Sequence, residues 1–114
     1  MDNAEISRPM YEKRQWGEYT VISLNDHCLV KNLYLMHGKS ISYQSHKYRS
    51  EIWVITSGEG TFILDGITQN VIAGDVLRIN KGQKHKISAI TDLYITEVQL
   101  GEKFDENDIE RFDM

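Results

Sequence analysis

The chain is poor in cysteine and proline: of 114 residues, one is cysteine (Cys28) and one is proline (Pro9). A lone cysteine cannot close an intramolecular disulfide, so no oxidising compartment is implied. Its apolar neighbour Leu29 and strand-like surroundings predict a small core residue rather than a nucleophile. Long hydrophobic runs are also missing. Stretches such as Ile52-Trp53-Val54-Ile55 stop far short of the ~20 residues of a membrane span. The first ten residues carry Asp2, Glu5 and Arg8 without an apolar run, which does not read as a signal peptide. Nor is there a basic excess: 13 Lys and Arg stand against 17 Asp and Glu, a net charge of −4, which argues against nucleic acid as a partner. The expectation is a soluble cytoplasmic protein with a small-molecule ligand and no nucleic-acid or membrane partner. The length fits one domain, which can bury roughly two thirds of its unfolded surface.

What is present is a rhythm of short strands. Glycines 38, 58, 60, 66, 74 and 82 separate runs rich in Ile, Val, Leu, Thr, Tyr and Trp, the spacing of a sandwich or barrel. Strands are predicted near Tyr19–Leu24, Leu29–Met36, Ile41–His46, Glu51–Thr56, Thr61–Leu64, Gln69–Ile72, Val76–Ile79, His85–Ala89 and Leu93–Leu100. Asp65-Gly66 suits a tight hairpin turn, where both central residues need φ > 0. Residues 1–15 read as a polar arm that lies over the sheet or frays, and 16–114 as the barrel. Glu102–Met114 reads as one or two helical turns, with Asp105 as cap and Phe104 stapling Ile109. The fold class expected is all-β, an antiparallel barrel or jelly roll with a short C-terminal helix.

Alternation along strands places side chains, because residues i and i+2 share a face. Ser42, Gln44 and His46 point one way, and Ile41, Tyr43 and Ser45 the other. If the faces carrying Leu, Ile and Trp point inward, the interior also receives Lys31, Gln44, His46, Glu51, His85, Glu97 and Gln99. Burying so many polar groups is costly without partners. A shared ion and a wet pocket would account for it. Two histidines, one carboxylate and one amide from three strands make a plausible site for a divalent ion. His27 and His37 fall in predicted turns and are read as exposed. Trp16 and Trp53 are read as core.

Gly38, Gln44-x-His46, Glu51 and Gly58 resemble the first cupin motif, with Gln44 where a histidine usually stands. Gly74, Asn80-Lys81-Gly82 and His85 resemble the second, with Asn80 for its proline and Ala89 for its asparagine. The chain is more closely similar to the bacterial type II mannose-6-phosphate isomerases. Arg14-Gln15-Trp16-Gly17-Glu18-Tyr19, Ser42-Tyr43-Gln44-Ser45-His46, Arg49-Ser50-Glu51, Gly82-Gln83-Lys84-His85, Glu97-Val98-Gln99 and Glu106-Asn107-Asp108-Ile109-Glu110-Arg111 carry this likeness, over residues 14 to 113. It departs at Gln15, Lys47, Tyr48 and Ile52. The Gly-rich phosphate loop of the guanylyltransferase that often precedes this cupin is absent, and the expectation is an isomerase cupin standing alone.

The resemblance implies a cupin (double-stranded β-helix) barrel that interconverts mannose 6-phosphate and fructose 6-phosphate through an enediolate. It implies one divalent ion on Gln44, His46, Glu51 and His85, zinc first, with iron, manganese, cobalt or nickel as alternatives. Only Glu51 would offset the ion's charge, leaving a formal +1 that suits an electrophile. Arg49 would stabilise the enediolate or grip phosphate. Lys31 and Glu97 are candidates for proton transfer, or partners of each other. Lys39 and Lys84 are candidate phosphate contacts. The alternatives are a non-catalytic sugar- or metabolite-binding cupin and, given two histidines and a carboxylate, an Fe(II) dioxygenase. Exposed strand edges are often covered by pairing, from which a homodimer is expected.

Overall fold

The computed structural model describes residues 10–113. Among them all regular structure is strand. A six-stranded sheet has the order β1-β2-β3-β10-β5-β8, and a five-stranded sheet the order β11-β4-β9-β6-β7. The first comprises β1 (Tyr11–Arg14), β2 (Gly17–Leu24), β3 (Cys28–Leu35), β10 (Leu93–Gly101), β5 (Arg49–Ser57) and β8 (Val76–Ile79). The second comprises β11 (Glu110–Phe112), β4 (Tyr43–Ser45), β9 (His85–Ala89), β6 (Glu59–Leu64) and β7 (Ile67–Ile72). All pairings are antiparallel. The jelly-roll expectation holds.

The core forms where the alternating apolar faces of the two sheets meet. Leu29, Leu35, Trp53, Ile55, Phe62, Ile87, Leu93 and Ile95 are all at most 2% exposed. Each such side chain contributes roughly 1.5–3 kcal/mol by leaving water. The Trp53 and Phe62 rings meet edge-on at 5.7 Å between centroids. Asp65 (φ 47°) and Gly66 (φ 82°) form the tight turn joining β6 to β7. Gly58 (φ 94°) is required for a second reason: a Cβ there would overlap the Asp92 carbonyl.

Four expectations change. Glu102–Met114 contains no helix among its described residues. Asp105 does cap, with Asn107 N donating to its Oδ1 at 2.9 Å and Asp108 N to its carbonyl at 3.0 Å. The turn stops there, because nucleating a short helix is unfavourable and the chain instead pairs as β11 along β4. Phe104 packs against the core. Of the N-terminal arm, residues 1–9 lie outside the described residues, while β1 is an ordered edge strand on β2 of its own chain. Cys28 is half-buried rather than core; it opens β3 beside the Asn25 turn.

The fourth change lies at Ile41–His46. Ser40 faces Ser88, whereas Gln44 faces His85. Four steps on one side therefore match three on the other. The extra residue is a bulge-like slip that reverses side-chain direction. It lets Ile41 enter the core while Gln44 and His46 line the cavity, which strict alternation does not allow.

Candidate metal centre

A cavity of about 770 Å³ opens between the sheets. Its inner wall holds His46 from the end of β4, Glu51 and Arg49 from β5, and His85 from β9. All four are buried. One donor atom from each of His46, Glu51 and His85 lies within 4.8 Å of the others. His46 Nε2 is 3.4 Å from Glu51 Oε2, and His85 Nε2 is 4.0 Å from Glu51 Oε1.

The imidazoles are oriented from behind. His46 Nδ1 is 2.7 Å from the Asp108 carbonyl and His85 Nδ1 is 3.0 Å from the Gln83 carbonyl. A carbonyl only accepts, so each Nδ1 carries the proton and donates. Each Nε2 is left as an unprotonated acceptor on the side of Glu51, that of His46 also approached by Arg49 Nη2. This is how metal-binding histidines are ordinarily held. Among the described residues, His85 Nε2 is the buried side-chain polar atom with no hydrogen-bond partner. An orphan of that kind needs a reason, and a cation between the imidazoles and Glu51 supplies one. Burial lowers the pKa of both histidines from 6.5, keeping them neutral, as ligation requires. His46, Glu51 and His85 therefore could hold a metal ion. Gln44 lines the same cavity, with its amide nitrogen directed to the Ser42 carbonyl at 3.3 Å.

Glu51 is committed at both oxygens. Arg49 Nε donates to Oε2 at 2.7 Å, and Trp53 Nε1 to Oε1 at 2.9 Å. Each oxygen keeps a second lone pair. Burial pushes the Glu51 carboxyl up, but the Arg49 guanidinium beside it outweighs this, and its pKa lies below 4.5. Arg49 also reaches His46 Nε2 at 3.4 Å and the Asp105 carbonyl at 3.2 Å. Alternation puts Arg49 on the face of Glu51 and Trp53, so it opens β5 rather than sitting in a surface loop.

Beside Glu51 and Arg49, on the same six-stranded sheet, lies a second group of side-chain charges. Lys31 Nζ lies 3.8 Å from Glu97 Oε2 and 3.7 Å from Glu106 Oε1, over the Tyr19 ring at 4.3 Å. Gln99 Nε2 donates to Glu97 Oε2 at 2.7 Å. Burial, with a smaller contribution from Glu51, pushes the Glu97 carboxyl up to about 7. Tyr19 donates to Glu12 at 2.5 Å and approaches Glu106 at 3.1 Å.

Of the residues singled out in the sequence, Lys31, Gln44, His46, Arg49, Glu51, His85 and Glu97 meet in this one cavity. Lys39 and Lys84 do not. Both are exposed and outside its lining, and Lys84 Nζ rests 4.2 Å above the Phe112 ring. Both lie in connections outside the strands, Lys39 after β3 and Lys84 just before β9. His27 and His37 are exposed, as expected. Glu106, Asp108 and Arg111 belong to the segment expected to be helical, an expectation that hides the alternation of β11.

The mannose-6-phosphate isomerase C-terminal family model matches residues 2–114. The chain is 30% identical over 100 residues to a mannose-1-phosphate guanylyltransferase of Escherichia coli, covering 86% of this chain and 21% of that protein. It is 32% identical over 108 residues to the alginate biosynthesis protein AlgA of Pseudomonas putida, covering 88% and 21%. The chain thus spans about a fifth of the curated relatives it matches. Among solved structures, a double-stranded β-helix protein from Klebsiella pneumoniae superposes with a TM-score of 0.77 at 18% identity, covering 100% of this chain and 91% of that one. Oxalate decarboxylase from Bacillus subtilis gives 0.78 at 17%, covering 91% and 32%. These two are likenesses of fold. With the cupin barrel and the buried His-Glu-His cluster in place, the match along nearly the whole chain makes this protein a member of the mannose-6-phosphate isomerase C-terminal family.

Proposed function

We propose that the barrel is a metal-dependent aldose–ketose isomerase acting on mannose 6-phosphate and fructose 6-phosphate. The observation that carries this reading is the pair of unprotonated Nε2 atoms facing Glu51, that of His85 buried without a partner, in a cavity that also holds Arg49, Lys31 and Glu97. A divalent ion on His46, Glu51, His85 and Gln44, zinc by preference, supplies Lewis-acid stabilisation of negative charge developing on a sugar oxygen. Arg49 places a fixed guanidinium beside that charge. Glu97 is the proton acceptor: a carboxyl with a pKa of about 7 takes and returns a proton efficiently near neutrality. Lys31, 3.8 Å away, stabilises its ionised form.

A non-catalytic sugar-binding barrel is the second reading. It is favoured by the bonds of Arg49 to Glu51 and toward His46, which compete with a cation. The test is proton NMR of zinc- or cobalt-loaded protein with mannose 6-phosphate in D₂O. Growth of fructose 6-phosphate signals, lost with chelator and in His46→Ala, is expected. Absence of both turnover and deuterium exchange with every divalent ion tried would reject the isomerase and leave the binding protein.

A further inference from the structure

The cavity is more cationic than the chain around it. Its lining carries five Lys and Arg side chains against three Glu, in a protein of net charge −4. Three of the five are neutralised. Arg14 is doubly bonded to Glu12 at 2.6 and 3.1 Å, Lys31 lies between Glu97 and Glu106, and Arg49 is bonded to Glu51. Lys86 alternates with the inward His85 and Ile87 on β9. Lys86 shares the lack of an ion pair with Arg111, but of the two only Arg111 stands on a row with inward residues. Among the described residues its guanidinium has neither an ion pair nor a side-chain hydrogen bond, and it lines the cavity.

Register fixes its direction. Arg111 faces Gln44 across β11 and β4, and Gln44 faces His85 across β4 and β9. Directly paired residues on antiparallel strands share a face. Arg111, Gln44 and His85 therefore form one inward row, with Arg111 two strand spacings, roughly 10 Å, from the histidine. An open-chain hexose phosphate with its carbonyl at the His-Glu-His cluster spans a comparable distance to its phosphoryl group. A free guanidinium presents paired donors that match phosphate oxygens.

We infer that Arg111 is the phosphate-binding residue of this cavity, the role the sequence had suggested for Lys39 and Lys84, and that it selects phosphorylated over unphosphorylated sugars. The inference rests on the sugar-phosphate reading above for its substrate, but not on turnover. It is tested by calorimetric titration of the full chain with mannose 6-phosphate, mannose and inorganic phosphate. In Arg111→Gln, affinity for mannose 6-phosphate falls about tenfold or more, as expected for a lost charge-assisted contact, while affinity for mannose is unchanged. Arg111→Lys recovers part of the loss, and guards against misfolding of the first variant. Lys84→Gln leaves phosphate affinity as it was. Equal affinity of Arg111→Gln and wild type for mannose 6-phosphate overturns the inference, as does wild-type indifference to the phosphate. Arg111-dependent binding without turnover keeps the subsite and rejects the isomerase. Turnover with affinity independent of Arg111 does the reverse.

Discussion

The two walls of the cavity hold polar groups in different ways. On the wall of His46 and His85, backbone carbonyls orient each ring, and the donor atoms have one direction open to them. On the wall of Lys31, Glu97 and Glu106, flexible side chains hold one another at 3.7–3.8 Å. Both carbonyls belong to turns pinned by backbone hydrogen bonds, Gln83 N to the Asn80 carbonyl and Asp108 N to the Asp105 carbonyl, so the first wall is the more rigid. Ionic side chains adjust with protonation, so the second is responsive. A site that positions an ion and moves a proton needs one of each.

The largest expected effect comes from removing Glu51, which reaches from the six-stranded sheet to both imidazoles of the histidine wall. Glu51→Ala leaves Arg49 charged, buried and unpaired. Denaturant unfolding of chelator-treated protein should show a loss of about 3–5 kcal/mol. A loss below 1 kcal/mol would mean that the guanidinium escapes to water.

Next comes the rear support. The Asp108 carboxylate accepts from Lys47 N at 2.8 Å and Tyr48 N at 2.9 Å, while its own carbonyl holds His46. Asp108→Ala frees that carbonyl to move. Zinc affinity, measured by chelator competition, should fall about 10–100-fold, and nitrogen NMR should show His46 populating both tautomers. Unchanged tautomer and affinity would assign the orientation of the ring to packing alone.

The responsive wall is tested by pH. Glu97 has a folded-state pKa of about 7, raised above the ordinary 4.5. Between these values the folded protein binds more protons than the unfolded chain, so this carboxyl's contribution to stability is full below pH 4.5 and is lost as pH rises through 7. In metal-free protein, carbon NMR should give the Glu97 carboxyl a midpoint near 7. In Glu97→Gln, this component of the stability–pH slope should vanish. A midpoint near 4.5 would remove Glu97 from the proton-transfer role.

The smallest effect belongs to the cavity rim. Arg14 and Glu12 are more than a third exposed, and Arg14→Ala should cost under about 1 kcal/mol in thermal unfolding. A larger loss would show β1 to be a structural part of the six-stranded sheet and not a fringe of it.

Much of the responsive wall was legible in advance. Lys31, Glu97 and Gln99 lie on strands whose alternation is unbroken, so their inward direction follows from Leu33 and Ile95 beside them. Glu51 and His85 were legible for the same reason. The rest of the site was not. Ile41 and Gln44 both face inward because of a one-residue slip, and no local composition signals it. Arg111 was obscured by a helical reading of its segment, since Asp105 caps a turn equally well whether a helix or a strand follows.

The sequence by itself determined the positions of nine strands, the hairpin at Asp65-Gly66, most of the inward faces and the membership of His46, Glu51 and His85 in one cluster. These follow from period-two patterning, turn chemistry and motif spacing, all properties of short stretches of chain. Only the tertiary structure decided that the C-terminal segment closes the barrel as β11, that Asp108 orients His46, and that Arg111 reaches the cavity while Lys39 and Lys84 do not. Those outcomes depend on which backbone groups still lack partners once the sheets have formed. That is a property of the assembled barrel and of no single segment.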